Sequence, residues 1–243
     1  MNVATTKVTI VLSLLLLSLI TAAWLFTSKP WRSGNSASNN AILGSRCKDH
    51  NEIRLNVERL ASDVAETKQS RERLIVLGGE SADCRTEIIS QLLGVMDKPQ
   101  LSFLMDRSSY FRWLNGAIVL GKLKAVESLD LLIEHLDLTD GSFSASMSHQ
   151  PAILGVESMG PVAVPKLRNA LEHHASREIR LAAALCLANI GESEALTALK
   201  DALTTETDPC VKRFISLSLV DPNSAGDVGE LLRQRILAFR CGN

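Results

Sequence analysis

From residue 71 to residue 203 apolar side chains recur at intervals of three and four, the spacing that gathers them along one side of an α-helix. Leu132 with Leu136, Leu167 with Leu171 and Leu199 with Leu203 form three such i, i+4 pairs. Ahead of each pair, Leu120, Val156 and Leu187 fall near the end of a preceding helix. The pattern therefore predicts three helix pairs, over residues 111–136, 151–171 and 179–203. Gly160-Pro161 and Gly191-Glu192 mark the turns inside the second and third pairs. Glycine there takes the left-handed conformation that closes a helix, and proline suits the first turn of the next. The first pair departs from this, with Lys124 in the place of the glycine.

The same rhythm extends in weaker form on both sides. Residues 71–93 echo the third copy, with GESAD in place of GESEA and with Ile88 and Leu92 on the second helix, and they read as a degenerate first repeat. Residues 210–220 predict another helix, 221–226 a polar break, and 227–239 a last helix, together a capping pair. Residues 51–69 predict one helix at the front, and 97–110 a helical connector. Successive copies are offset by 35 and 32 positions at Leu136, Leu171 and Leu203, inside the ~20 to 50 residue period of stacked repeats. A single helix pair cannot bury its apolar side alone, whereas stacked copies build a continuous core from neighbour contacts.

The third copy, with its Ala-rich first helix, Asn-Ile-Gly and Leu-rich second helix, resembles the short HEAT-like repeats also found in the bilin lyase family. The second copy is similar to their turn and second helix, reading G-P-x-A-V-P-x-L over residues 160–167. The resemblance is specific over residues 111–220. It implies an all-α protein, a short HEAT-like α-α solenoid of about four to five helix pairs, whose successive second helices line an extended surface for another macromolecule.

Residues 8–26 are a different kind of segment, an uninterrupted apolar run whose length as a helix matches the ~30 Å hydrocarbon layer. A single N-terminal transmembrane helix is expected, with Trp24 at the headgroups and Lys29 as a polar anchor. The competing reading is a cleaved signal peptide, but the run exceeds the usual ~7 to 15 residue core of one. Residues 27–40 are rich in Ser, Asn, Gly and Pro and read as a tether. The expected organisation is thus a membrane anchor at 1–26, a flexible tether at 27–48 and a repeat domain at 49–243. Lys7 with the α-amino group on one side faces Lys29 and Arg32 on the other, so charge does not set the orientation.

Composition narrows the function. Aromatic residues are only 4% of the chain, and 26 basic side chains meet 27 acidic ones, which leaves no electrostatic footprint for nucleic acid. The five cysteines show no spacing suited to zinc. Cys210 and Cys241 bracket the C-terminal hairpin, and Cys47 is placed to tie the start of the domain to Cys84; these pairings require an oxidising compartment. The alternative is four buried or surface thiols. Cys186, inside an Ala-Leu run, belongs to the core. With the disulfides, the soluble part is expected outside the cytoplasm, in the periplasm if the source is Gram-negative.

Catalytic motifs are not found: G-x-S-x-G, the phosphate-binding P-loop and H-E-x-x-H do not occur. Adjacent His173 and His174 point about 100° apart on a helix and do not share a metal ion. His135 reads as a helix-surface residue. No cofactor, metal or small-molecule substrate is expected. The binding candidates are equivalent positions on the second helices, Ile133, Arg168 and Lys200, with Glu134, Asn169 and Asp201 beside them. Phe143 and Met147, in a Ser-rich interruption over 137–151, are the other handholds for a protein partner. The expected function is a non-catalytic, membrane-anchored scaffold or adaptor. The alternative is a maturation factor, chaperone or lyase-like enzyme on the same array, with Cys84 or Asp83 as its chemical group.

Overall fold

The computed structural model describes residues 47–62, 64–96, 107–138 and 150–220. The apolar run at 8–26, the tether before Cys47, Phe143, Met147, Cys241 and the last expected helix lie outside the described residues. The chain divides into two units, Met1–Gly44 and Ser45–Asn243, and everything below concerns the second. Among the described residues the regular elements are all helical, and no helix is long and apolar enough to cross a membrane.

Among the described residues ten α-helices follow one another: α1 (His50–Arg59), α2 (Val64–Glu80), α3 (Ala82–Met96), α4 (Arg107–Lys122), α5 (Leu129–Ile133), α6 (Pro151–Met159), α7 (Val164–His173), α8 (Arg177–Ile190), α9 (Ser193–Thr205) and α10 (Pro209–Ser218). Helices α2–α3, α4–α5, α6–α7 and α8–α9 are the four expected pairs, the degenerate first repeat included. First helices pack on first helices, from α2 through α4, α6 and α8 to α10, and second helices α5, α7 and α9 pack in a parallel row. Leu120, Val156 and Leu187 are fully buried at equivalent points of the first row. Leu132, Leu136, Leu167, Leu171 and Leu199 fill the space between the rows, each contributing about 2 kcal/mol of hydrophobic free energy.

Two expectations need correction. Residues 51–69 are not one helix, because the chain breaks after Arg59, where the Thr67 hydroxyl donates to the carbonyls of Arg59 and Ser62. Such side-chain bonds to backbone offer an alternative to continued helix. The second helix of the first copy is also short. After a 3₁₀ turn at Val126–Ser128, α5 ends at Ile133, and His135 and Leu136 donate to Leu132 and Ile133 in tighter i to i−3 bonds. Leu136 still reaches the core, so the buried stripe outlasts the α-helix.

Lys124 resolves the missing glycine. Its φ is 52°, beside 68° at Gly191, so a lysine takes the positive φ that glycine supplies in the third pair; Gly160, expected to be left-handed as well, has a φ of 67° but a ψ of −139°, outside the left-handed helical region. Lys124 N–H donates to Gly121 and Ala125 N–H to Leu120, the paired bonds of a Schellman cap. A side chain in this region costs about 1 kcal/mol. The Lys124 ammonium offsets that cost by donating to the carbonyls of Ser158 at 2.6 Å and Met159 at 2.9 Å. These are C-terminal carbonyls of α6, at the negative end of its dipole. Arg85 does the same one repeat earlier, donating from α3 to the carbonyls of Leu123 and Lys124 at the end of α4. Each cation thereby pins the first helix of the following pair.

Helices α4 and α6 approach each other backbone to backbone. A Cβ on Gly155 would lie 2.7 Å from the Ala117 carbonyl oxygen and 3.1 Å from the Ala117 Cβ, and one on Gly121 would strike the Gly155 carbonyl oxygen. Gly94 on α3, by contrast, faces open space. Gly155→Ala is expected to lower unfolding free energy by about 1–3 kcal/mol through overpacking, whereas Gly94→Ala should raise it by about 0.5–1 kcal/mol by removing chain freedom. Urea denaturation of the two variants reads both signs; equal effects would refute the helix contact.

Candidate functional site

The second-helix row presents α5, α7 and α9 side by side, and the sequence places a charged residue on nearly every turn that faces away from the core. Lys166 donates to Asp130 at 2.7 Å, linking α7 to α5, and Arg168 donates to Asp201 at 2.8 Å, linking α7 to α9. Arg168 also bonds Glu172 one turn on, at 2.9 Å. All of these groups are substantially exposed, so each pair is worth little to stability. They set the spacing of polar groups along the row.

Between α5 and α7 the row opens into a groove of about 190 Å³. Its floor is Ile133 and Ala170, its α5 wall Asp130 and Glu134, and its α7 wall Lys166, Asn169, His173 and His174. Of the sequence-derived candidates, Ile133, Glu134 and Asn169 converge here. Ile133 is buried, at 5% exposure, so it floors the groove and does not belong to an exposed stripe. Arg168 and Asp201 engage each other on the neighbouring ridge, and Lys200 is exposed beside them on α9.

The two histidines diverge as their spacing requires. His174 accepts from the Ser176 N–H through Nδ1 and sets Nε2 3.5 Å from Glu134. His173 is largely exposed, nearest Glu172 at 3.7 Å. His135, expected on the surface, instead packs edge-on against Trp113 with ring centroids 4.9 Å apart. His50 has a companion the sequence did not reveal, Glu87, at 3.0 Å.

At the start of the domain Cys47 and Cys84 are joined in a disulfide spanning 37 positions, with both residues buried. Cys84 thus has no free thiol for chemistry. Asp49 lies close enough to complete a three-residue group with metal-ligand spacing, but the sulfurs are bonded to each other and are not free to ligate. Cys210 is also disulfide-bonded, while its expected partner Cys241 lies outside the described residues. Cys186 is a free, fully buried thiol whose pKa is raised well above its ordinary value, first by burial and then by Glu157.

Sequence reasoning missed two further long-range contacts, one inside the α8–α9 pair and one between α6 and α8. Arg180 on α8 bonds Glu206 after α9 at 2.9 Å, largely buried, and Glu206 also accepts from the N–H groups of Thr207 and Asp208. Glu157 on α6 accepts from the Asn189 amide on α8 at 2.6 Å. Burial raises the Glu157 pKa above its ordinary 4.5, with the Asn189 bond opposing the shift. Separations of 26 and 32 positions leave no local signal for either pair.

Compared with known families, residues 152–219 match the model of HEAT repeats. That segment holds α6 to α10, the part where the helix pairs are most regular. No curated protein and no solved structure matches the chain. Over this segment the repeats are similar to HEAT repeats, helical arrays that generally mediate protein–protein interaction.

Closing a loop of this length by Cys47–Cys84 restricts the unfolded chain, which stabilises the fold by about 3–4 kcal/mol. The double variant Cys47→Ser, Cys84→Ser should lose about 2–4 kcal/mol in chemical denaturation. Maleimide labelling of the denatured parent should count one thiol, Cys186, before reduction and all five after; a count of five without reductant would be the contrary result.

Glu157 gives a pH signature. The folded chain holds its proton more tightly than the unfolded one, so its contribution is full below about pH 4.5 and is lost as pH rises through the raised folded value. Glu157→Gln keeps an acceptor for Asn189 and removes this titration. Stability measured from pH 4 to pH 8 should decline less in the variant, and parallel profiles would show that Glu157 does not titrate differently on folding.

Proposed function

We propose that the chain is a non-catalytic scaffold or adaptor, held at a membrane by residues 8–26, which docks a protein partner on the second-helix row. The observation that carries this is the continuous polar face of α5, α7 and α9 on an array whose regular part matches HEAT repeats. Stacking exposes equivalent positions from successive repeats at regular spacing, and this suits recognition of an extended partner surface. The buried Cys47–Cys84 disulfide supports a location outside the cytoplasm, since such bridges persist where the compartment is oxidising. In a Gram-negative source that compartment is the periplasm. The apolar run supports the anchor, because its length fits a bilayer core.

The test is photo-cross-linking in native membranes. A cross-linking side chain at Asn169 or Lys200, both exposed on the second-helix row, is expected to capture one protein species that an equivalent probe at Glu72 on α2 does not. Lys200→Glu should weaken the same capture while leaving the unfolding curve unchanged. Equal capture from all three positions would defeat the proposed docking face.

A further inference from the structure

The turn ahead of α1 and the first turn of α3 bring three donor atoms together. The sulfurs of Cys47 and Cys84 and a carboxylate oxygen of Asp49 all lie within 4.8 Å of one another. Both cysteines are buried and Asp49 is half-buried. While the bridge is intact its sulfurs are not ligands, yet Asp49 is already turned to them. It occupies the N-cap of α1, where an aspartate ordinarily accepts from the N–H groups of the first turn. Its side chain makes no such cap hydrogen bond, and its carboxylate stands by the sulfurs instead. His50, next in the chain, meets Glu87 at 3.0 Å, which leaves the fourth position of a tetrahedral ion to water.

Two thiolates and one carboxylate, with a position open to water, are a donor set for a borderline-soft divalent cation, whereas magnesium and calcium take oxygen ligands. We propose that Cys47, Cys84 and Asp49 bind one zinc ion once a thiol or phosphine reductant opens the bridge. The start of the domain is then closed by metal in the reduced chain and by the disulfide in the oxidised one. This goes beyond the scaffold reading and does not depend on it. A dithiol reductant supplies two electrons and two protons, leaves as its own cyclic disulfide and yields two cysteine thiols. Zinc displaces both thiol protons to solvent and forms two Zn–S bonds and one Zn–O bond. The dication compensates the charge of two buried thiolates beside a carboxylate. Tetrahedral bonds of about 2.3 Å set the sulfurs about 3.8 Å apart. Residues 47–49 precede α1 and absorb that change without a helix opening. The site is available wherever thiols are kept reduced, as they are before a chain reaches an oxidising compartment.

The experiment uses the full-length chain in uncharged detergent, reduced with a phosphine and desalted without oxygen. Cobalt(II) is the probe, because it absorbs visibly in tetrahedral sites, and zinc is the competitor. The reduced chain is expected to bind one cobalt, with the near-ultraviolet band of thiolate-bound cobalt, and one equivalent of zinc should abolish that band. The oxidised chain should show no band. Zinc should raise the thermal midpoint of the reduced chain and leave that of the oxidised chain unmoved. Asp49→Asn keeps the bridge and loses no cap bond, so the oxidised unfolding curve should be unchanged while zinc binding by the reduced form weakens at least about tenfold. Cys84→Ser should remove the cobalt band, and Cys210→Ser, which deletes a thiol elsewhere, should retain it. A reduced parent without thiolate-bound cobalt, equal binding by the oxidised chain, a band undiminished in Cys84→Ser or lost in Cys210→Ser, or Asp49→Asn binding zinc as tightly as the parent would overturn the proposal.

Discussion

Backbone contact between α4 and α6 fixes the rest of the array. Where Gly121 and Gly155 meet there is no room for a Cβ on either glycine, so the two helices touch backbone to backbone. Dispersion attraction falls steeply with a small radial gap, so atoms brought this near hold the helices in one register. The second helices α5 and α7 follow their partners, and the width of the groove between them is set from below. Lys124 locks the same step electrostatically, since its ammonium reaches the end of α6 only when α4 and α6 sit at this distance. Packing and capping thus specify one arrangement twice.

Much of this is legible along the chain because it is periodic. The i, i+4 leucines, the glycine turns and the offset of successive copies predict the helix pairs of the regular segment, and burial of Leu120, Val156 and Leu187 agrees with their alignment. What the sequence hides is decided by single residues acting against their type. Lysine is not a left-handed residue by preference, and nothing local in the sequence announces that its ammonium will reach carbonyls 34 and 35 positions away. Likewise the break after Arg59 depends on one hydroxyl of a residue eight positions later, inside what reads as continuous helix.

The candidate docking face is legible to a lesser degree. Equivalent positions on the second helices can be counted from the repeat, which places Glu134, Asn169 and Asp201 on one row, beside Ile133, Arg168 and Lys200. Whether each is open, buried or paired depends on neighbours from another repeat. Ile133 goes under the groove because α7 covers it, and Arg168 finds Asp201 because α9 is adjacent. The cysteine pairing 47–84 was an inference from position alone, and the fold brings those two residues together because α1 and α2 return the chain to the start of α3.

That bridge also has a mechanical meaning. Sulfur joins residue 47 directly to the first turn of α3, so a pull applied upstream of Cys47 enters the array at Cys84 and bypasses the intervening polypeptide. Helices α1 and α2 carry none of the tension, and the repeats beyond them feel it first. A chain bridged this way can be tugged from its N-terminal side while the covalent path through its leading two helices stays slack.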